Sequence, residues 1–272
     1  MTALALSRMS LNQATTQNWA MADPIEGCAR AGVGWMGVWR HKAAELGLAE
    51  TARRMRAAGV QASSLCRGGF FAAATAKERR ERIADNRRAI DEACELGAPV
   101  LVLVAGPGAD RDLDGARQMV FDGISAIAPY AAERGVRLAI EPLHPMFAGD
   151  RSVVVTLGQA NAMAQQIASP AVGVAVDVYH VWWDPEVYAE IARASGSILG
   201  FHVSDWIVPP PDHVLGRGMM GDGVIELRRL REAVDSAGYD GPIEVEIFNQ
   251  AIWDTPGEQV LALAKERFLS EC

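Results

Sequence analysis

The sequence has few cysteines and no long apolar run. Its 272 residues include four cysteines, and none of these shows the paired spacing of a disulfide framework or a zinc site, so we expect reduced thiols. No stretch approaches the ~18–20 apolar residues of a transmembrane helix. The first residues also lack the basic region and cleavage site of a signal peptide. We therefore expect a cytoplasmic protein that does not act at a membrane.

Basic residues and nucleotide-binding motifs are also scarce. The net charge is −8, which argues against a general nucleic-acid-binding surface. The sequence contains no P-loop and no G-x-S-x-G elbow. Two G-x-G-x-x-G matches begin at Gly32 and Gly216, but the first precedes an apolar run and the second follows a proline-rich loop. A dinucleotide fingerprint must instead follow a strand and open a helix, so neither match predicts a nucleotide cofactor.

Short apolar runs alternate with longer amphipathic stretches over the whole chain, which is the pattern of a parallel α/β protein. We predict eight strands, at Leu4–Met9, Trp35–Trp39, Gln61–Leu65, Val100–Val104, Arg137–Glu141, Gly173–Asp177, Leu199–Val203 and Ile243–Ile247. The predicted helices between them are Lys42–Ala58, Ala76–Leu96, Asp114–Arg134, Leu157–Ala168, Pro185–Ala194, Ile225–Ala237 and Pro256–Phe268. Eight such units predict a (β/α)8 TIM barrel in one domain over residues 1–272.

The last four predicted strands each end in a residue that can bind a metal ion. These residues are Glu141, Asp177, His202 and Glu246. In a TIM barrel the strand ends meet at the C-terminal face, where active sites lie. Two Glu, one Asp and one His form a nitrogen and oxygen donor set suited to a hard or borderline divalent cation. The sequence therefore predicts one metal site at this face.

The alternation of residues along these strands supports that prediction. Successive side chains of a strand point to opposite faces. Leu138 and Ile140 therefore share one face, whereas Ala139 and Glu141 share the other. The other three strands repeat this arrangement, with the large apolar residues facing the helices and the ligand facing the barrel interior. Two further histidines lie close to the ligands in sequence, His144 and His180, and we expect both to contact substrate.

Five segments of the second half resemble the xylose isomerase-like TIM-barrel superfamily. They are IEPLHP, DVYH, HVSDW, GRGMMGDGVIEL and GYDGPIEVEIF. Within the superfamily, the chain is similar to the sugar phosphate isomerases and epimerases, a group that includes ketose 3-epimerases and inosose isomerases and dehydratases. The superfamily also contains multi-zinc apurinic endonucleases, but Arg217 stands where those enzymes carry an additional histidine ligand. We therefore expect no nucleic-acid substrate.

The resemblance implies roles for individual residues. Glu141, Asp177, His202 and Glu246 resemble the metal ligands, and the two glutamates also resemble an acid/base pair. His180, Arg217, His144 and Asp205 are the expected substrate-binding residues. The expected cofactor is one divalent metal ion, Mn²⁺ or Mg²⁺, with Co²⁺ or Zn²⁺ as alternatives. We also expect a homo-oligomer.

The reaction that the resemblance implies is isomerisation or epimerisation of a sugar, keto-sugar or related polyol through a metal-stabilised enediolate. Two alternatives remain open at this point. The same intermediate could lose a group by β-elimination, which would make the protein a lyase or dehydratase acting on a keto-sugar or 3-oxo-glycoside. The other alternative is a sugar-binding barrel without catalytic activity. The sequence shows no clear phosphate-binding loop.

Overall fold

Ten strands can be assigned in the computed structural model, which describes residues 5–108 and 110–272. They are β1 (Met9–Asn12), β2 (Trp35–Trp39), β3 (Gln61–Gly69), β4 (Val100–Val104), β5 (Arg137–Glu141), β6 (Val172–Asp177), β7 (Ile198–Val203), β8 (Asp205–Trp206), β9 (Arg217–Gly218) and β10 (Ile243–Val245). β8 and β9 form a separate antiparallel pair. The other eight are parallel and close a barrel in the order β1-β10-β7-β6-β5-β4-β3-β2.

Helices follow the barrel strands and surround them, so the structure confirms the predicted TIM barrel. The α-helices are α1 (Ala22–Ala31), α2 (Arg40–Leu46), α3 (Leu48–Ala58), α4 (Ala76–Leu96), α5 (Leu113–Glu133), α6 (Leu157–Ile167), α7 (Val178–Val181), α8 (Val187–Arg193), α9 (Leu227–Ser236), α10 (Gln250–Trp253) and α11 (Gly257–Glu271). Short 3-10 helices span Leu6–Arg8, Gln13–Thr16 and Pro145–Phe147. Within the described residues, no helix is long and apolar enough to cross a membrane.

The core lies mainly between the barrel and its helices. Ile140, Val174 and Phe201 are fully buried in this layer, on the outward face of their strands. The inward face carries smaller residues, and Ala139 and Ala175 belong to a separate small apolar cluster inside the barrel. The predicted alternation is thus confirmed. It leaves the inward face free for polar side chains at the C-terminal end of the barrel.

Helix ends are specified locally, as the sequence indicates. Gly59 and Gly97 both adopt left-handed backbone conformations, with φ of 70° and 74°, directly after α3 and α4. Such glycine caps let the chain turn immediately into the next strand. α4 begins with a capping box, in which the Thr75 hydroxyl accepts from the backbone N–H of Glu78 and the Glu78 carboxylate accepts from that of Thr75.

The predicted first strand, Leu4–Met9, is wrong. Leu4 lies outside the described residues, Leu6–Arg8 forms a 3-10 turn, and β1 begins only at Met9. Arg8 holds the turn because its guanidinium donates to the Asp235 carboxylate at 2.7 Å. The polar residues of β1 concealed the strand in the sequence. Ser10 and Asn12 face the barrel interior and are buried.

The predicted helix Lys42–Ala58 is two helices rather than one. Gly47 separates α2 from α3 with φ 83° and ψ 148°, a conformation outside the range of a right-handed helix. The helix Ala22–Ala31 was not predicted, and Pro24 occupies its first turn, where the missing N–H has no helical partner to lose. The last barrel strand is shorter than the predicted Ile243–Ile247 and ends at Val245.

Candidate metal centre

The four predicted ligands come together at the C-terminal end of the barrel. Glu141 and Asp177 are the last residues of β5 and β6, His202 is the next-to-last residue of β7, and Glu246 directly follows β10. Each offers one ligand atom, and these atoms all lie within 4.8 Å of one another. The four residues are buried, each at most 5 % exposed.

Strand register explains why these side chains meet. Asp177 pairs with His202 across β6 and β7, and His202 pairs with Glu244 across β7 and β10. These three residues therefore lie level on neighbouring strands. Side chains that lie level on parallel strands point to the same face, so each is directed into the barrel. Glu246, two residues beyond Glu244, points the same way one step higher.

The donor set fits a divalent cation, and buried atoms without partners support this assignment. Among the described residues, neither Glu141 Oε1 nor the two ring nitrogens of His202 have a hydrogen-bond partner. His202 Nδ1 lies 3.0 Å from Glu141 Oε1 and 3.8 Å from Glu246 Oε2, without hydrogen-bond geometry. Buried polar atoms are normally satisfied. Of these atoms, His202 Nδ1 and Glu141 Oε1 face one another and can share one cation, which binds carboxylate oxygen and imidazole nitrogen.

The electrostatics of the protein alone are those of a strongly acidic cluster. Burial alone would lower the pKa of His202, but the carboxylates of Glu244, Glu141 and Glu246 raise it well above its usual value. Burial raises the pKa of Glu246 to about 8, although Arg217 opposes the change. In both cases the site favours the form that carries less net negative charge. A divalent cation would supply that compensation directly.

Arg217 and His180 border the acidic cluster. Arg217 lies on β9 and donates from Nη1 to Asp177 Oδ2 at 2.8 Å and to Glu246 Oε2 at 3.2 Å. Burial tends to raise the pKa of Asp177, but Arg217 and the nearby histidines hold it below its usual value. His180 Nε2 lies 3.1 Å from Arg217 Nη2. The guanidinium is therefore shared between the predicted ligands and the predicted substrate-binding histidine.

His180 is neutral at physiological pH. Burial lowers its pKa to about 3. Its Nδ1 faces the backbone N–H of His144 at 3.2 Å, and its Nε2 faces an Arg217 N–H. A neutral imidazole accepts at one ring nitrogen only. Both neighbours are donors, so only one of the two contacts is a hydrogen bond, and the other ring nitrogen carries the N–H.

A cavity of about 350 Å³ opens over the cluster. It is lined by Trp39, Cys66, Arg67, Phe70, Val104, Glu141, Leu143, Asp150, Arg151, His180, Arg217, Glu246 and Phe248. The mixture of aromatic walls and convergent polar groups is typical of a small-molecule site. Two of the predicted ligands and two of the predicted substrate-binding residues reach it.

His144 and Asp205 are placed differently from the other predicted substrate-binding residues. The His144 ring packs at 4.9 Å from the Trp206 ring and is absent from the cavity lining. The Asp205 carboxylate accepts backbone N–H groups of Trp206, Gly221, Gly223 and Ile225. These contacts occupy both of its oxygens. The Asp205 carboxylate therefore organises the loop that carries Arg217.

Glu244 was not among the predicted site residues. It is 3 % exposed, its Oε2 accepts from Asn12 Nδ2 at 2.7 Å, and its Oε1 accepts from the Ser63 hydroxyl at 2.7 Å. Oε2 also lies 3.8 Å from His202 Nε2. At this distance the carboxylate acts on the imidazole through its charge, and it raises the pKa of His202. Strand alternation in the sequence places Glu244 on the inward face, and this pattern could have identified it as a residue near the site.

Comparison with known proteins shows which family shares this fold. A family model described as the xylose isomerase-like TIM barrel matches residues 25–271. The solved structure of protein SMc04130 from Sinorhizobium meliloti 1021 is 47 % identical, with a TM-score of 0.96 over 98 % of this chain and 99 % of that chain. The IolI protein with a bound zinc atom is 21 % identical, with a TM-score of 0.87 over 97 % of each chain, which shows a shared fold.

Two curated relatives are enzymes of different classes. The 3-dehydroshikimate dehydratase of Pseudomonas putida is 28 % identical over 196 residues, which is 66 % of this chain and 29 % of that enzyme. The L-ribulose-5-phosphate 3-epimerase UlaE of Shigella boydii is 25 % identical over 178 residues, which is 65 % of this chain and 59 % of that enzyme. In both cases the match spans less than two thirds of the relative's length.

Proposed function

The chain belongs to the xylose isomerase-like TIM-barrel family, and from that premise we propose that it is a divalent-metal-dependent isomerase or epimerase of a sugar, keto-sugar or related polyol. The observation that carries this proposal is the cluster of four buried ligand atoms within 4.8 Å of one another. Two of these ligands line a cavity of about 350 Å³. A curated relative that bears the name of a sugar-phosphate epimerase supports the reaction class.

Glu141, Asp177, His202 and Glu246 would hold the cation. When bound, the metal supplies Lewis-acid polarisation of a substrate carbonyl and stabilises the negative charge that develops beside it. Below the site, the Glu244 carboxylate lies 3.8 Å from His202 Nε2, where its negative charge acts on the imidazole without a hydrogen bond. Mn²⁺ or Mg²⁺ suits the three carboxylates, and the single imidazole also allows Co²⁺ or Zn²⁺.

Glu141 and Glu246 would transfer the proton. Glu141 ends β5, and Glu246 follows β10. In the barrel, β6 and β7 lie between β5 and β10. A substrate between them is flanked by a carboxylate on either side. One carboxylate removes the proton from the carbon next to the carbonyl. Return by the same carboxylate to the neighbouring carbon gives an isomer, whereas return by the opposite carboxylate inverts the configuration.

The environment of Glu246 suits this task. Burial raises its pKa to about 8, with Arg217 and His202 opposing the shift. A general base works best when its pKa lies near the working pH. Positive charge nearby lowers a carboxyl pKa, so a bound cation would bring the value down and favour the carboxylate that abstracts the proton.

His180 and Arg217 would position the substrate oxygens. Both line the cavity, and they lie 3.1 Å apart between Nε2 and Nη2. Arg217 also donates to Asp177 and Glu246, which fixes the direction of its guanidinium. A guanidinium presents its donors in a rigid fork that binds two oxygens in defined positions. Together the two residues would hold the hydroxyl and carbonyl oxygens while the proton moves.

A dehydratase is the second candidate function. The specific observation that favours it is the relative named as a 3-dehydroshikimate dehydratase, 28 % identical over 196 residues. Proton abstraction next to a carbonyl is common to both reactions. If the β-carbon carries a leaving group, the electron pair left on the α-carbon forms a C=C bond and expels that group with its bonding electrons.

Turnover in deuterated water distinguishes these functions. Metal-loaded protein is incubated with a panel of ketoses, inososes and 3-oxo-glycosides, and the products are analysed by NMR and mass spectrometry. An isomerase or epimerase gives products of unchanged composition with solvent deuterium at the carbon next to the carbonyl. A lyase gives a product that has lost water or an alcohol. If the protein binds metal and sugar but produces neither result with any compound, the catalytic proposal is wrong and a sugar-binding barrel remains.

A further inference from the structure

Two arginines outside the metal cluster line the same cavity. Arg67 lies near the C-terminal end of β3, and Arg151 lies on the connection between β5 and α6. Neither residue is used in the proposed proton transfer. Both belong to segments that follow or end barrel strands, and in this fold such segments form the substrate-binding face.

Arg67 has no acidic partner within residues 5–108 and 110–272. Its guanidinium carbon lies 3.9 Å from the centroid of the Phe70 ring, and no ion pair or side-chain hydrogen bond satisfies it there. Arg40, which lines the neighbouring cavity with Arg67, differs because Glu92 and Asp85 pair with it at 2.5 and 3.1 Å. A half-buried cation without a counterion is costly. Burial, together with Arg151 and Arg40, also lowers the pKa of Arg67.

Arg151 is only weakly paired. The nearest carboxylate is that of Asp150, with Oδ2 at 3.7 Å from Arg151 Nε, and the Asp150 side chain is 64 % exposed. An exposed pair at this distance contributes little. The cavity wall away from the metal ligands therefore carries two arginines and one aspartate. This local excess of positive charge stands out in a chain whose net charge is −8.

We propose that Arg67 and Arg151 form a binding site for an anionic group of the substrate, at the end of the cavity away from the metal ligands. This inference rests on the proposed function and narrows it. The substrate would be a sugar or polyol derivative with a phosphate or carboxylate on a carbon remote from the reacting carbonyl. Guanidinium groups bind both anions through charge-assisted hydrogen bonds, which are about twice as strong as neutral ones. Side chains rather than a backbone loop recognise the anion, so no phosphate-binding motif is required.

Hydrogen bonds from α4 hold the C-terminal end of β3 in place, which indicates a rigid site. Asn86 of α4 is 1 % exposed, and its Oδ1 accepts from the Gly69 N–H at 2.6 Å while its Nδ2 donates to the Gly69 carbonyl at 2.8 Å. Gly69 itself has φ 106°, and a Cβ there would lie 1.8 Å from the Val104 carbonyl oxygen. These contacts fix the backbone two residues after Arg67. Binding groups held in place in this way lose little entropy when the ligand arrives.

Room for the remote end of a substrate is also present. A second cavity of about 540 Å³ adjoins the first, and the two share Trp39, Cys66, Arg67 and Phe70 as lining residues. Arg67 therefore stands between the cavities. An anion bound by Arg67 would lie where the metal-site cavity widens, so that the carbon chain points towards Glu141 and Glu246.

Matched substrates test the proposal. The panel contains a ketopentose and a ketohexose, their terminal phosphates, and the corresponding keto-acids with a terminal carboxylate. We measure kcat/KM and, by calorimetry on metal-loaded protein, Kd for each compound. One anionic series should exceed its neutral parents by about ten- to hundredfold, the range expected for charge-assisted hydrogen bonds. The preferred series identifies the anion as phosphate or carboxylate.

Arg67→Gln should lower the ratio of anionic to neutral kcat/KM by about tenfold or more, and Arg151→Gln should lower it in the same direction. Arg56→Gln is the matched control, because it removes the same charge from an exposed position on α3, at the opposite end of the barrel. The control should leave the ratio unchanged. Melting temperatures establish that each variant is folded. The proposal is overturned if neutral sugars are bound as well as anionic ones, or if Arg67→Gln retains the wild-type ratio.

The calorimetric readout separates this inference from the proposed reaction. If no compound is turned over but anionic compounds still bind in a manner that depends on Arg67, the reaction is wrong and the anion site stands. If neutral sugars are turned over with deuterium exchange and the Arg67 change has no effect on selectivity, the reaction stands and the anion site is wrong.

Discussion

Removal of the Arg217 charge should destabilise the metal-free protein much more than the metal-loaded protein. Arg217 Nη1 lies 2.8 Å from Asp177 Oδ2 and 3.2 Å from Glu246 Oε2, and all three side chains are buried. Breaking a buried ion pair from one side typically costs about 3–5 kcal/mol, because the partner charge stays buried and unpaired. Arg217→Met keeps most of the side-chain volume and removes the charge, so it isolates this effect.

The expected loss in free energy of unfolding can be converted into a change in melting temperature. A loss of about 1 kcal/mol lowers the melting temperature of a domain of this size by roughly 2–4 °C. The metal-free variant should therefore melt roughly 6–20 °C below the metal-free wild type. A divalent cation placed among the same carboxylates replaces the lost positive charge. The difference between variant and wild type should shrink to less than half that value when the metal is saturating.

Differential scanning calorimetry with chelator and with excess Mn²⁺ measures both differences. Arg231→Met is the matched control, since Arg231 is also a buried arginine but pairs with Asp235 and the Cys272 carbonyl, away from the metal ligands. Its loss of stability should be the same with and without metal. Equal losses for Arg217→Met under both conditions would refute the reasoning that the guanidinium and the cation neutralise the same carboxylates.

Three further predictions concern catalysis, pH and thiol chemistry. Glu246→Gln should lower kcat by about 10²–10⁴-fold, the usual contribution of a general base, and a variant that keeps more than about a tenth of the wild-type rate would show that Glu246 does not move the proton. The pKa of His202 lies well above its usual value and that of Glu246 is raised to about 8, so both groups stabilise the metal-free protein at low pH and lose that contribution as pH rises through those values. Metal binding requires both groups to be deprotonated, so the rise in melting temperature on adding Mn²⁺ should grow between pH 6 and pH 8; a constant rise would contradict this. Burial raises the pKa of Cys28 and Cys272 to about 12, whereas Cys94 is exposed. A thiol reagent should therefore label Cys94 rapidly in native protein and all four cysteines after unfolding. Rapid labelling of Cys28 in native protein would contradict the fold.

The parts of the fold that depend on local sequence were predictable. β2, β4 and β5 have the predicted bounds because each is a short apolar run between clear turn signals. Strand alternation also placed Glu141 and Asp177 on the inward face, and a side chain's face depends only on its neighbours in the same strand. The four ligands were then expected to converge because the C-terminal ends of the strands meet at one face of a barrel.

Contacts between distant segments were not predictable. Asp205 appeared beside His202 in sequence as a substrate-binding residue, but its oxygens accept N–H groups from a loop that returns 16 to 20 residues later. The role of Glu244 depends on Asn12, which lies in a strand whose predicted bounds were wrong. No sequence pattern indicated a binding role for Arg67. Whether an arginine near a strand end has an acidic partner depends on distant segments, which only the folded structure shows.

The order of strands around the barrel separates the metal-ligand candidates from part of the cavity wall. All four metal-ligand candidates come from β5, β6, β7 and the end of β10, which are consecutive around the barrel, whereas Trp39 and Arg67 come from β2 and β3 on the other side. Substitutions of Trp39 or Arg67 can therefore alter which molecule is held without disturbing the groups proposed to move its proton. Divergence of substrate among proteins with this barrel could then accumulate on the β2–β3 side of the cavity while the four ligand residues stay constant. Exchange of the loops after β2 and β3 between relatives would be a direct way to change which molecule this barrel binds.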